Sequence, residues 1–376
     1  MCAVLFIDLK SAFDTIDPQI MRKKLYHYGI RGNILEMLSS YLKDRKQFIK
    51  CDGIESLLLS VECGVPQGSV LGPLLFIIYI NDIVRCSNLN AVLFADDAAL
   101  VLEHKCLKGL RRQLNSEAEK LNQWFIANKL TLNLKKTKFM IFHTKSVKEH
   151  LVKKFKLNIN KVNIQQVQQI KYLGVILDNK LSWQPHIQYV CSKLSKAAGI
   201  IFKLRKKAPR TVLLMLYNSL AVSYIRYGIT SWGVANKTAL KKLQVMQDKI
   251  LRYITFSPLS NIDHVYQSLK IMDINQILHL ETLKIMYKVY NRSLPTSFDE
   301  YFIRINHNFN TRTKKNTEYK IPLPSTDLGK QSIKYSGVKA WSSLDMNVKN
   351  ASNYDIFKER AKVVVLERRH YICYTD

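Results

Sequence analysis

The chain has 376 residues, with 58 Lys and Arg against 29 Asp and Glu, a formal net charge of +29, and it is 47% hydrophobic. That apolar share excludes a wholly disordered chain, and 13 Gly with nine Pro excludes collagen-like or low-complexity character. A field of this size concentrates polyanions, which puts nucleic acid first among partner classes and an anionic membrane surface second. The longest apolar run, residues 70–80, is interrupted by Gly72 and Pro73 and is shorter than the roughly 18 residues of a membrane span, so no membrane partner is expected. The N-terminus lacks a basic leader and carries Asp8 where a signal peptide would be apolar, which predicts an intracellular protein. The seven cysteines are odd in number and none has C-x-x-C spacing, so free thiols are expected rather than disulfides or a zinc knuckle.

In chain order, the continuous apolar run at residues 3–8 reads as a buried strand. Residues 18–28 open with Pro18 and run with helical periodicity to Gly29, and 32–41 form a second helix. Residues 47–51 and 57–63 read as strands about a turn at Asp52-Gly53. A Gly/Pro-rich turn at 64–72 leads into an apolar helix at 73–83. Apolar runs at 91–95 and 98–102 flank Asp96-Asp97 as a hairpin, followed by an amphipathic helix at 105–128 and a strand at 138–143. Two short strands are expected around IKYLGVILD, residues 170–178. Strands mixed with segregated helices predict an α+β fold with an antiparallel sheet. Beyond residue 186 the pattern turns helical, with helices at 192–206, 211–227, 239–253 and 274–290. Residues 293–376 are more polar and of uncertain fold, and the basic stretch 312–315 reads as a solvated loop. No internal repeat is found.

Three acids carry the chemistry. Asp8 ends an apolar strand, and Asp96 and Asp97 sit at a hairpin tip. A carboxylate at a buried strand end costs free energy unless it is paired or bound to a cation. Carboxylates gathered from two strands suit Mg²⁺, which takes one or two carboxylates plus phosphate oxygens. Taken alone, Asp96-Asp97 reads first as an ordinary acidic turn.

The neighbours change that balance. FIDLKSAFDTID (6–17), GVPQGSVLGPLLFIIYIND (64–82), FADD (94–97), LNLKKTKFMIF (132–142) and KYLGVILDNKLSW (171–183) occur in this order. The set resembles the palm motifs of reverse transcriptases, most closely those of non-LTR, LINE-type retrotransposons of the jockey kind. The resemblance implies a polymerase palm over residues 1–183, a helical thumb-like or connection region over 184–292 and a C-terminal region over 293–376. It implies two Mg²⁺ ions (Mn²⁺ as an alternative) held by Asp8, Asp96 and Asp97 with the backbone carbonyl of Leu9. It also implies an RNA template, a DNA primer and dNTP substrates, and action in the nucleus. The reaction would be two-metal nucleotidyl transfer from a dNTP to the primer 3′-hydroxyl.

Carried over residue by residue, Phe13 would be the aromatic gate that crowds a 2′-hydroxyl; locally it is equally a core Phe. Gln67 would contact the incoming nucleotide, and Gly68, lacking a Cβ, would let the backbone approach the nascent base pair. Lys136 would protonate pyrophosphate, or belong to a charged face with Lys135 and Lys138. Leu173 and Gly174 would touch the primer backbone, and the basic stretches 193–210 and 237–252 would follow the hybrid by phosphate contacts. Asp14 reads as a cap or turn residue. A central strand with nothing before it predicts an N-terminal truncation that removes the fingers and the endonuclease domain and impairs catalysis. The alternative is an inactive nucleic-acid-binding remnant of such an element. The oligomeric state is left open.

Overall fold

The computed structural model describes residues 1–143, 147–257, 262–305 and 318–367. The basic stretch 312–315 and Cys373 lie outside the described residues. The chain divides into two compact units, Met1–Leu181 and Ser182–Asp376.

The first unit runs β1 (Cys2–Ile7), α1 (Pro18–His27), α2 (Gly32–Leu42), β2 (Arg45–Gln47), β3 (Lys50–Cys51), β4 (Ile54–Glu55), β5 (Leu59–Val61) and α3 (Leu71–Ile80). It continues through β6 (Asn90–Phe94), β7 (Asp97–Glu103), α4 (Leu107–Ala127), β8 (Lys138–Phe142), α5 (Glu149–Lys153), β9 (Asn158–Ile159), β10 (Val162–Asn163), β11 (Gln165–Gln166), β12 (Gln169–Tyr172) and β13 (Val175–Asp178). Five strands form one sheet in the order β11-β8-β1-β7-β6. It is antiparallel except for the short β11–β8 edge pair.

β1 sits at the centre, which explains its unbroken apolar run, because both of its faces are covered. Ala3, Leu5 and Ile7 enter the main core with Met21 and Leu25 of α1, Phe76 and Tyr79 of α3, and Leu114 and Phe125 of α4. Val4 and Phe6 face the other way, into a smaller core with Ala99 and Met140 that Ile170, Tyr172 and Leu177 of the β12–β13 hairpin cover. The helical layer and the hairpin thus occupy opposite faces of one sheet.

Local signals act where expected. Asp17 caps α1 by accepting from the Gln19 and Ile20 N–H groups, and Pro18 fills the first helical position. α3 begins at Leu71, ahead of Pro73, because a proline in the first turn has no intrahelical N–H bond to lose. The strands expected at 47–51 and 57–63 resolve into a nested ladder, β2 with β5 and β3 with β4, closed by Asp52-Gly53, both at positive φ. The interruption has a local cause: Ser56 Oγ accepts from the Ile49 N–H at 2.8 Å, where an uninterrupted ladder would use backbone.

The second unit is helical: α6 (Gln184–Leu204), α7 (Arg210–Tyr217), a π turn (Asn218–Val222), α8 (Ser223–Arg226), α9 (Ile229–Trp232), α10 (Lys237–Thr255), α11 (Ile262–Leu269) and α12 (Ile274–Tyr290). The π turn breaks the single helix expected over 211–227. α12 starts on a capping box between Asp273 and Gln276. Helices Ile333–Ser342 and Tyr354–Glu367 pack on α12: Phe357 stacks on Tyr287 at 4.1 Å, and Gln276 Nε2 donates to the Val365 carbonyl. Among the described residues no helix is long and apolar enough to cross a membrane.

Candidate active site

The β1–β7 register pairs Ile7 with Ala98, so Asp8 and Asp97 lie one step further along, at the same end of adjacent strands. β6 and β7 are joined by Ala95-Asp96 across the Phe94–Asp97 pair. Ala95 takes φ +50°, a left-handed conformation that costs a non-glycine residue roughly 1 kcal/mol and tightens the turn. The three acids interact. Burial, then the negative fields of Asp96 and Asp8, hold the Asp97 carboxyl above the usual carboxylate range.

Asp8 is fixed through its backbone. Its N–H donates to Thr137 Oγ1 at 3.4 Å, and its carbonyl accepts from the Asn133 N–H at 2.9 Å. Thr137 is fully buried. The Lys10 N–H donates to the Thr131 carbonyl, completing a bridge between Leu9 and Leu132. The two bonds of that bridge use residues on either side of Leu9, so its own carbonyl takes no part in them. Asn133 also closes the turn that carries Lys136, accepting from the Lys136 and Thr137 N–H groups. Lys136 Nζ lies 4.0 Å from Asp8 Oδ2, with 72% of its side chain exposed, so the contact is weak.

A second group forms where the loop after β5 lies along residues 13–16. The Gly64 N–H donates to the Ile16 carbonyl at 2.7 Å, and the Val65 N–H to the Phe13 carbonyl at 2.9 Å. At Gly64, φ is +86° and a Cβ would come within 2.8 Å of Asp14 Cα. Arg45 Nη2 clamps the same corner by donating to the Cys63 and Gly64 carbonyls. Gln67 Nε2 donates to Asp14 Oδ1 at 2.8 Å. Phe13 is half-buried, its ring 4.8 Å from that of Phe76.

Within the chain, the glycine whose missing Cβ permits a close approach is Gly64; a Cβ on Gly68 would meet no protein atom within 4 Å, and Gly68 suits its φ of +81°. Asp14, in its turn, also accepts from Gln67. Leu173 and Gly174 form the two-residue turn of the β12–β13 hairpin, both at positive φ. That hairpin lies beside the acids: Tyr172 packs on Phe6 at 5.3 Å, and its hydroxyl is pushed up by burial and by the charge of Asp97. Thr137, Arg45 and Tyr172 support this region and were not singled out by sequence reasoning; Thr137 adjoins Lys136 and Tyr172 adjoins Leu173, whereas Arg45 has no such neighbour.

Residues 1–177 match the family described as reverse transcriptase (RNA-dependent DNA polymerase). A probable RNA-directed DNA polymerase from transposon BS of Drosophila melanogaster is 30% identical over 275 residues, 68% of this chain and 29% of that protein. Residues 1–177 thus belong to the reverse transcriptases, and the chain's relatives are polymerases of non-LTR retrotransposons. The RNA-directed DNA polymerase from mobile element jockey of Drosophila funebris is 27% identical, over 67% of this chain and 28% of that protein. The chain thus spans less than a third of the length of these relatives. Among solved structures, telomerase from Candida albicans in complex with a fragment of telomeric RNA aligns with a TM-score of 0.33 and 15% identity, covering 80% of this chain and 48% of that one.

Reverse transcriptases generally use divalent metal ions. Among the described residues no three His, Cys, Asp or Glu side chains are grouped so that together they could hold a metal ion. The acids nevertheless fit an open site of this kind. They are hard oxygen donors from adjacent strand ends, and their mutual repulsion, felt at Asp97, marks a place short of positive charge. A Mg²⁺ site completed by substrate phosphates has no need of a full protein cage.

Proposed function

We propose that this chain carries the nucleotidyl-transfer centre of an RNA-directed DNA polymerase, with residues 1–183 as palm and 184–292 as thumb. The observation that supports it is the shared strand end of Asp8 and Asp97, with Asp96 beside them, inside the segment that matches the reverse transcriptases. In this reading Asp8, Asp96, Asp97 and the Leu9 carbonyl hold two Mg²⁺ ions, which supply the positive charge that a developing alkoxide and a pentavalent phosphate require. The primer 3′-hydroxyl would give its proton to solvent water, and its oxygen would bond to the α-phosphorus of a dNTP. The bond from that phosphorus to the leaving oxygen breaks, and pyrophosphate departs.

The other residues position or protonate. Lys136, exposed and beside Asp8, gives a proton to the departing pyrophosphate. Phe13, backed by Phe76, sets a wall against a 2′-hydroxyl. Gln67, held by Asp14, meets the nucleotide, with Gly68 beneath the base pair. Leu173 and Gly174 present a rigid turn to the primer backbone. The basic faces of α6 and α10 follow the RNA–DNA hybrid through its phosphates. The element acts on its RNA template and DNA primer in the nucleus.

Primer extension on an RNA template with Mg²⁺ and dNTPs tests this reading. Any incorporation by the chain is expected to be abolished by Asp96→Asn. Incorporation indifferent to Asp96→Asn would overturn the assignment, and salt-dependent RNA binding without any incorporation would favour a binding-only protein.

A further inference from the structure

A cavity of about 650 Å³ opens in the helical layer of the first unit, between α1, the 3-10 turn Asn81–Arg85 and Trp124 of α4. None of its lining residues belongs to the acid cluster or to the loop of Gln67. Lys24 anchors the wall. Its Nζ donates to the Tyr79 carbonyl and to Asp82 Oδ1 at 2.7 Å, and lies 5.0 Å from the Trp124 ring centroid. Asp82, the one acid in the lining, is therefore already neutralised. Lys23 and Arg85 are exposed at the rim, and among the described residues neither has a carboxylate partner. The His27 imidazole completes the polar lining. The cavity thus combines a half-buried indole with uncompensated cations, at a volume ordinary for a small-molecule site. Indole and guanidinium groups bind planar bases, and paired cations bind phosphate.

We propose that this cavity is a second nucleic-acid-type site, which takes a nucleoside phosphate with its base against Trp124 and its phosphate between Lys23 and Arg85. The chemistry is shared by a free nucleotide and by a residue of a single strand. Its recognition is separate from polymerisation, so its failure and the failure of the active-site assignment are distinguishable.

The test uses the full chain carrying Asp96→Asn, with a fluorescent twelve-residue oligoriboadenylate and AMP as probes. Lys23→Glu with Arg85→Glu is compared with Lys105→Glu with Lys108→Glu, an equal charge change at the far end of α4. The first pair is expected to weaken oligonucleotide binding about tenfold and to flatten the salt slope by about 0.7, the contribution of the one single-strand phosphate that is no longer neutralised. The control pair should stay within about twofold. Loss of AMP binding in the first pair alone would place a single nucleotide in the cavity, and loss of oligonucleotide binding alone would place a strand there; either supports the site. Equal losses in both pairs would reduce the effect to the general field and overturn it. Rim-dependent binding to phosphatidylserine vesicles, with oligonucleotide binding unchanged, would also overturn it.

Discussion

The sheet unit and the helical unit hold their polar groups in different ways. In the first, the groups of interest are fixed through backbone: Asp8 by Thr137 and Asn133, and the Gln67 loop by hydrogen bonds to residues 13 and 16. In the second, basic side chains lie on aromatic rings. Arg205 sits 3.9 Å from the Phe202 ring and near Tyr253 and Phe256, and Lys193 lies between Tyr189 and Tyr224. Phe202 and Phe256 remain 45% and 59% exposed. A site that must place atoms for chemistry is better built on rigid backbone, whereas one that must only hold a polyanion tolerates mobile cations. The first unit should therefore respond sharply to single changes and the second weakly.

The largest effect is expected at the acids. Asp97→Asn should lower primer extension by about a thousandfold, the scale of losing a principal electrostatic group. It should also raise the melting temperature of the metal-free chain, because one of three repelling carboxylates is gone. A parallel loss of activity and stability would break the contrast between the units. Next is Gly64→Ala. Its Cβ would strike Asp14 backbone at an unfavourable φ, so a loss of about 2–3 kcal/mol by chemical denaturation is expected, against about 1 kcal/mol for Gly68→Ala, which carries φ strain alone. Equal losses would remove the distinction drawn between these glycines.

Thr137→Val keeps the shape but leaves the Asp8 N–H without its acceptor. It should cost about 1–2 kcal/mol and lower kcat more than it raises KM. Unchanged kcat would show that Asp8 needs no such support. Asp17→Asn should remove the ion pair with Lys129 while keeping a capping oxygen, a change of about 1 kcal/mol or less.

Asp17 and Asp97 also give opposite pH signatures. Burial raises the Asp17 carboxyl, but the Lys129 bond and the Ile20 and Gln19 N–H groups outweigh it and hold the group below the usual range. Its stabilisation is complete above the unfolded carboxyl pKa and is lost as pH falls through the lowered folded value. Asp97 is held above the usual range, so its ionisation opposes folding, and acidification from the raised folded value toward the unfolded one relieves that penalty. Melting temperature against pH for the two Asn variants measures both signs. The smallest effect is expected in the second unit, where Arg205→Ala should weaken RNA binding only about twofold and reduce the salt slope by less than about 1.

Much of this was legible along the chain. The cap at Asp17, the turn at Asp52-Gly53 and the apolar strand leading to Asp8 depend on residues a few positions apart, and the five ordered motifs pointed to the family before any contact was known. The bond from Asp8 to Thr137 spans 129 positions and that from Gln67 to Asp14 spans 53, and no local pattern announces either. The nested hairpin and the π turn escaped for a similar reason, since a single side-chain bond or one added residue per turn leaves the hydrophobic period almost unchanged.

By itself the sequence determined most of the element types of the first unit and the resemblance to a family, because propensity, capping and motif order are properties of neighbouring residues. Tertiary structure alone decided that Asp97 feels Asp8, that Gly64 rather than Gly68 abuts another segment, and that Lys23, Arg85 and Trp124 surround one cavity. Those facts depend on which distant backbones lie within hydrogen-bonding and Coulombic reach, and only packing around the central strand brings them there.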